Sequence, residues 1–353
     1  MTNPVPVAVK AGRFGYIVEL VSSAKRPERI LEFSSGVASI PGVTAGSVTS
    51  YHGGSSRGDD PVQVAAAVRE RGLTPNVHLT CVYQDRHEIR KSLESLRSHD
   101  IPNVFAITGD WPAGSNTAPV FDIDSVQLIE LIAKVRAAER FPFHISGAVS
   151  PFKYAREDLL YQYLKLEKKI AAGADMAITQ LGWDVRKFVE LKRYLDERGL
   201  AVPLYGSVYV LDLKGAKKMS KGEPPGCWAS PELVEQVERE SQSADGGLEA
   251  RLERGARTAA VLKGIGYAGA YIGGVHNAEH VAILIRRAEE LAPRWEEFAG
   301  ELQFGDRNGF YLYDGPQPPK PKAGLLPLLL DAMGRTMPVP WAKLPKETWL
   351  RSQ

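Results

Sequence analysis

NVFAITGD, residues 103–110, is an apolar stretch with β-branched residues that runs into Thr-Gly-Asp. Its length and composition predict a buried strand, and its last residue is a carboxylate. Seven other runs have the same character: GYIVELVS (15–22), GSVTSY (46–51), NVHLTCV (76–82), FHISGAV (143–149), MAITQLGW (176–183), VPLYGSVYV (202–210) and GAYIGGV (269–275). Between them, DRHEIRKSLESLRSHD (85–100), DSVQLIELIAKVRAAER (124–140) and REDLLYQYLKLEKKIAAGA (156–174) place apolar residues every three or four positions. Charges fill the opposite face, which predicts amphipathic helices. Eight strand–helix alternations predict an α/β protein, a (β/α)8 TIM barrel with a C-terminal extension. An open doubly wound sheet shares this alternation. In a barrel, polar residues at strand C-termini converge on one mouth, which makes Asp110 informative.

Composition narrows the function classes. The 353 residues carry 44 basic and 42 acidic side chains, a formal charge of +2, so no basic field supports nucleic-acid binding. Cys81 and Cys227 are the only cysteines and form no C-x-x-C pair, so neither a disulfide framework nor a metal site is expected. The N-terminus lacks the apolar core of a signal peptide, and no run approaches the roughly 20 residues of a membrane span. A cytoplasmic protein with no membrane partner is expected. The barrel is assigned to residues 1–304 as the catalytic domain and the arm to 305–353, where GPQPPKPK (315–322) precedes a short apolar helix in AGLLPLLLDAMGR (323–335). That arm is expected to pack on the barrel or on a second copy, as in a homo-oligomer.

Three motifs mislead. GIGYAG (264–269) matches a dinucleotide fingerprint, but it follows a helix and precedes a strand, the reverse of the required order. KMSKG (218–222) is similar to the signature loop of class I aminoacyl-tRNA synthetases, and HISG (144–147) loosely to its partner motif. HISG lies inside a predicted strand, so KMSKG reads as a solvated basic loop. Walker A and H-E-x-x-H sequences are absent.

The strand ends bear Glu19, Thr49, His78, Thr80, Thr108, Asp110, Thr179 and Gln180. Glu19, set among apolar neighbours in IVELV, resists ionisation and suits a general acid near neutral pH; a structural ion pair is the other reading. Asp110 follows a glycine that admits close ligand approach, and it suits a heterocycle contact or a turn cap. His78 suits either a ligand contact or a satisfied core position.

VHLTC (77–81), IPNVFAITGDWP (101–112), VFDIDSVQLI (120–129) and KKIAAGADMAITQLGWD (168–184) occur in an order and spacing that resemble the methylenetetrahydrofolate reductase family. Those proteins are flavin-dependent TIM barrels that reduce 5,10-methylenetetrahydrofolate to 5-methyltetrahydrofolate. The resemblance implies FAD as cofactor, NAD(P)H as reductant and a folate substrate. It makes Glu19 and Asp110 catalytic, with Asp110 and Gln180 contacting folate. Thr49, His78, Thr108, Gly109, Asp110, Phe121, Asp124, Val149, Lys153 and Lys169 fall at its FAD-lining positions. Ser22 and Ser23 stand where the family has prolines, Thr108 where an arginine meets the flavin pyrophosphate, Val149 and Lys153 where it has tyrosine and histidine, and Ala278 where an arginine meets folate. These departures resemble the family's divergent branch. Two alternatives stay open: a flavin-independent, tetrahydrofolate-linked C1-transfer enzyme, and a non-catalytic barrel subunit of a C1 complex.

Overall fold

The computed structural model describes residues 2–21, 28–49, 60–110 and 118–314. Eight parallel strands close into a barrel in sequence order: β1 (Gly15–Leu20), β2 (Val43–Val48), β3 (Pro75–Thr80), β4 (Asn103–Ile107), β5 (His144–Val149), β6 (Met176–Thr179), β7 (Leu204–Tyr209) and β8 (Gly269–Gly273). β1 pairs with both β2 and β8, which completes the closure and removes the open-sheet alternative. All eight predicted strands are present. β2 begins three residues before its predicted start, directly after a turn at Gly42 (φ +87°), because Ala45 and Gly46 dilute the apolar signal at its front.

The period of two along each strand divides its side chains between two environments. Ile17, Ala45, Phe105, Met176, Ile178, Tyr205 and Tyr271 fill the barrel interior, whereas Tyr16, Val18, Leu20, Val77, Leu79, Val104 and Ile145 pack against the helical ring. Strands buried on both faces explain the near-continuous apolar runs. The ring comprises α2 (Glu28–Ala38), α3 (Pro61–Glu70), α4 (Arg86–Ser98), α5 (Ser125–Glu139), α6 (Arg156–Ala171), α7 (Val185–Glu197), α10 (Leu248–Gly264) and α11 (Ala278–Leu291). The connection from β7 to α10 contains α8 (Leu213–Met219) and α9 (Pro231–Glu240). KMSKG is therefore the end of α8 and its following turn, with Met219 buried, while HISG lies in β5 and GIGYAG is the turn from α10 to β8.

One end of the barrel is plugged. The N-terminal helix α1 (Pro4–Lys10) inserts Val5 into the interior cluster, and the Asn3 side chain donates to Asn103 Oδ1 at the start of β4 (2.6 Å). Ligand access is thereby directed to the C-terminal ends of the strands. The chain divides into two units, Met1–Leu312 and Tyr313–Gln353. The predicted proline-rich segment and apolar helix of the arm lie outside the described residues, as do Ser22 and Ser23. No described helix is long and apolar enough to cross a membrane.

Candidate functional site

A cavity of about 510 Å³ opens at the C-terminal mouth. Glu19, His78, Thr108, Gly109, Asp110, Val149, Lys153, Lys169 and Gln180 all line it, and Thr179 joins them. Thr49, Phe121 and Asp124 do not. Thr49 continues β2, its backbone N–H donating to Leu20 O (3.1 Å). Phe121 sits on the surface with φ +41°. Asp124 caps α5: its Oδ1 accepts from the N–H groups of Val126 and Gln127, while Gln127 returns a bond to the Asp124 N–H.

Glu19 is the interior residue nearest the end of β1, two positions beyond Ile17. Burial pushes its carboxyl up from 4.5 to about 7, partly offset by a hydrogen bond donated by the Tyr271 hydroxyl (3.4 Å). No lysine or arginine among the described residues pairs with it, so the structural ion-pair reading falls away. His78 Nε2 lies 3.0 Å from Ser47 Oγ and 3.4 Å from the Tyr271 hydroxyl, and its ring meets Phe105 edge-on at 4.9 Å. Burial pulls this imidazole down to about 3, so it is neutral throughout the physiological range. Asn76 Nδ2 donates to Ser47 Oγ (3.1 Å), extending a polar chain from the barrel floor to Glu19.

Gly109 explains the Thr-Gly-Asp ending. Its φ is +82°, and a Cβ there would lie 2.5 Å from Val82 Cγ1, so only glycine fits without displacement. The turn it makes leaves Asp110 at the rim, where partial desolvation raises the carboxyl above its ordinary value. The Asp110 backbone carbonyl accepts from the Tyr83 hydroxyl (3.3 Å), and its side chain caps no described helix. On the far side, Gln180 Oε1 accepts from the Leu181 N–H (2.9 Å). The Gln180 amide nitrogen faces Gly226, which together with Pro225 borders the cavity from the α8–α9 connection.

The wall between β5 and α6 is cationic. Lys153, Lys165 and Lys169 line it, and Lys169 Nζ donates to Ala148 O (2.6 Å). Burial first, then the neighbouring Lys165, brings Lys169 down to about 8. The Ser125 hydroxyl at the start of α5 and the Ser150 hydroxyl after β5 also line the cavity, and both are buried with no hydrogen-bond partner among the described residues. Sequence reasoning missed Tyr271, Ser207, Tyr209 and Lys165. Tyr271, Ser207 and Tyr209 follow the same interior alternation that exposes Glu19, so the period of two was the available signal; Lys165 had none beyond its place on a charged helix.

A closed parallel barrel with a buried, protonatable glutamate and an aspartate at its C-terminal mouth has the architecture of a TIM-barrel enzyme. The family model for methylenetetrahydrofolate reductase matches residues 42–223, just over half of the chain, and the chain belongs to that family. It is 32% identical over 177 residues to the 5,10-methylenetetrahydrofolate reductase of Salmonella typhimurium, covering 48% of this chain and 56% of that protein. It is 28% identical over 160 residues to methylenetetrahydrofolate reductase (NADH) 1 of Arabidopsis thaliana, covering 41% of this chain and 26% of that one. The chain thus spans little more than half the length of its bacterial relative. A solved structure of an uncharacterized Clostridium thermocellum protein that binds two copies of 5-methyl-5,6,7,8-tetrahydrofolic acid shares the fold, with TM-score 0.58 and 12% identity over 82% of this chain and 99% of that one.

Proposed function

We propose that this protein reduces 5,10-methylenetetrahydrofolate to 5-methyltetrahydrofolate, with FAD as cofactor and NAD(P)H as reductant. The observation that carries the reading is Glu19: a carboxyl at about 7, open to the cavity and facing the same space as Asp110 and Gln180. Near neutral pH it holds a proton at Oε1 or Oε2 in about half of the molecules, the condition for a general acid. Proton donation from Glu19 to a nitrogen of the substrate's one-carbon bridge would open the ring toward a cationic, hydride-accepting carbon. Asp110 accepts hydrogen bonds from the pterin ring and Gln180 orients it, while neutral His78 buttresses the Tyr271 hydroxyl against Glu19. The C. thermocellum protein's 5-methyltetrahydrofolic acid supports a reduced folate as ligand class.

The donor set fits a phosphate-bearing cofactor. Ser125 and Ser150 present unpartnered hydroxyls, and Lys153, Lys165 and Lys169 supply the positive charge that Thr108 lacks. These five residues would hold the phosphates, and bound flavin would supply the hydride chemistry. The two free, buried thiols, Cys81 and Cys227, suit a reducing cytoplasm.

Uncharged Thr108 also favours a second reading, folate-linked C1 chemistry without bound flavin. Purified protein that shows flavin absorbance, bleached by NAD(P)H and restored by methylenetetrahydrofolate, supports the first reading; colourless protein that binds tetrahydrofolate supports the second. Glu19→Gln is expected to lose folate reduction and keep flavin reduction by NAD(P)H. Unchanged folate turnover would refute the role of Glu19.

A further inference from the structure

Two irregular connections border the cavity. The β5–α6 connection brings in Ser150 and Lys153, and the α8–α9 connection brings in Pro225 and Gly226. No sheet ladder includes either of them, so something else must hold these side chains in place.

Tyr154 is where they meet. Its ring packs edge-on against Trp228 at 5.5 Å, joining the two connections directly. Its hydroxyl donates to Asp184 Oδ2 (3.2 Å), and its backbone carbonyl accepts from the Phe310 N–H (2.8 Å). Gly309 lies so close that a Cβ there would stand 2.6 Å from Tyr154 Cδ1. The Tyr311 hydroxyl donates to the same Asp184 oxygen at 2.8 Å. Residues 309–311 therefore clasp Tyr154.

This stretch is itself firmly attached. The Val185 N–H donates to Leu302 O and the Phe304 N–H to Trp183 O, the two ends of a short antiparallel bridge through Asp184 and Gln303. Fully buried Lys187 donates to Phe310 O (2.8 Å) and pairs with Glu190 at 3.1 Å, and Glu190 also accepts from the Leu312 N–H and the Tyr163 hydroxyl. An ion pair buried this completely holds its geometry because every polar atom around it is used. The anchor stands on α7, whose cap Asp184 lies four residues after Gln180.

We propose that residues 302–312 form a positioning strap for the cavity mouth. Acting through Tyr154, the strap sets Lys153 on one side and the Pro225–Trp228 turn on the other. Tyr154 and Tyr311 are positioning residues; neither lines the cavity. The role of Lys153 toward a phosphate rests on the function proposed above, whereas the strap's hold on the two connections does not.

Hydrogen–deuterium exchange on the full chain without ligand separates the two. Tyr311→Phe and Tyr154→Phe each delete one hydroxyl from Asp184 and keep the ring. Exchange at the amides of 150–155 and of 226–229 is expected to quicken about fivefold in both variants, the shift that loss of one hydrogen bond produces, with β1–β8 unchanged. Acceleration confined to 302–312, with 150–155 and 226–229 at wild-type rates, would overturn the strap. If Tyr311→Phe does not fold, Tyr154→Phe decides the matter by the same two peptides. Where FAD binds, Tyr154→Phe and Lys153→Met are expected to weaken it non-additively, since one acts through the other; strictly additive losses would overturn the placement of Lys153 by the strap, while the exchange result decides the strap's hold on the two connections.

Discussion

Replacing Glu19 by Gln tests the electrostatics of the site without reference to any ligand. Barrel burial holds the Glu19 carboxyl at about 7 against an ordinary 4.5, and the Tyr271 hydroxyl only partly offsets it. A carboxyl that binds its proton more tightly folded than unfolded contributes fully below pH 4.5, and that contribution is lost as pH rises through 7. The displacement is worth at most about 3 kcal/mol; one side of Glu19 opens to the cavity, and screening there reduces the expected figure to about 1–2 kcal/mol. Gln is isosteric, stays neutral and can still accept from Tyr271. Thermal unfolding of both proteins across pH 4–8.5 should therefore give curves that converge near pH 4.5 and separate by a few degrees above pH 7, with Glu19→Gln the more stable. A difference independent of pH, or one that grows toward acid, would refute a raised Glu19 and with it the general acid.

Gly109→Ala should cost about 1–3 kcal/mol in chemical denaturation, because the side chain meets both φ +82° and Val82 Cγ1. Asp124→Ala removes a capping box and should cost about 1 kcal/mol by the same measurement. The His78 imidazole, held near 3, should show no titration by NMR between about pH 5 and 9; a midpoint near the usual 6.5 would mean the Ser47–His78–Tyr271 cluster is solvated. Lys153→Met should weaken FAD binding about tenfold and flatten its salt dependence, measured by flavin fluorescence.

Most of the architecture was legible because the barrel repeats one local rule. Strands buried on both faces read as apolar runs, and eight such runs separated by amphipathic helices count out the barrel. The front of β2 escaped because small residues carry little hydrophobic signal. The lining of the cavity was legible where a polar residue interrupts an apolar strand end, as at Glu19, His78 and Asp110. Asp124 shows a local rule as well: an aspartate before an apolar helical run is a sufficient reason for a cap, and its Oδ1 caps α5 while its Oδ2 lies 3.7 Å from Lys165.

What the sequence determined by itself is therefore the set of local preferences: strand, helix, cap, and the glycine that turns the chain at Asp110. Tertiary structure alone decided which of those residues meet. Tyr271 reaches Glu19 across 252 positions because β8 closes on β1, and barrel closure supplies the low-dielectric surroundings that move a glutamate to about 7. The strap at 302–312 likewise reads as an unremarkable tail until Lys187, Glu190 and Asp184 are seen to hold it against Tyr154. Propensity acts over a few residues, whereas desolvation and long-range hydrogen bonds depend on how the whole barrel packs.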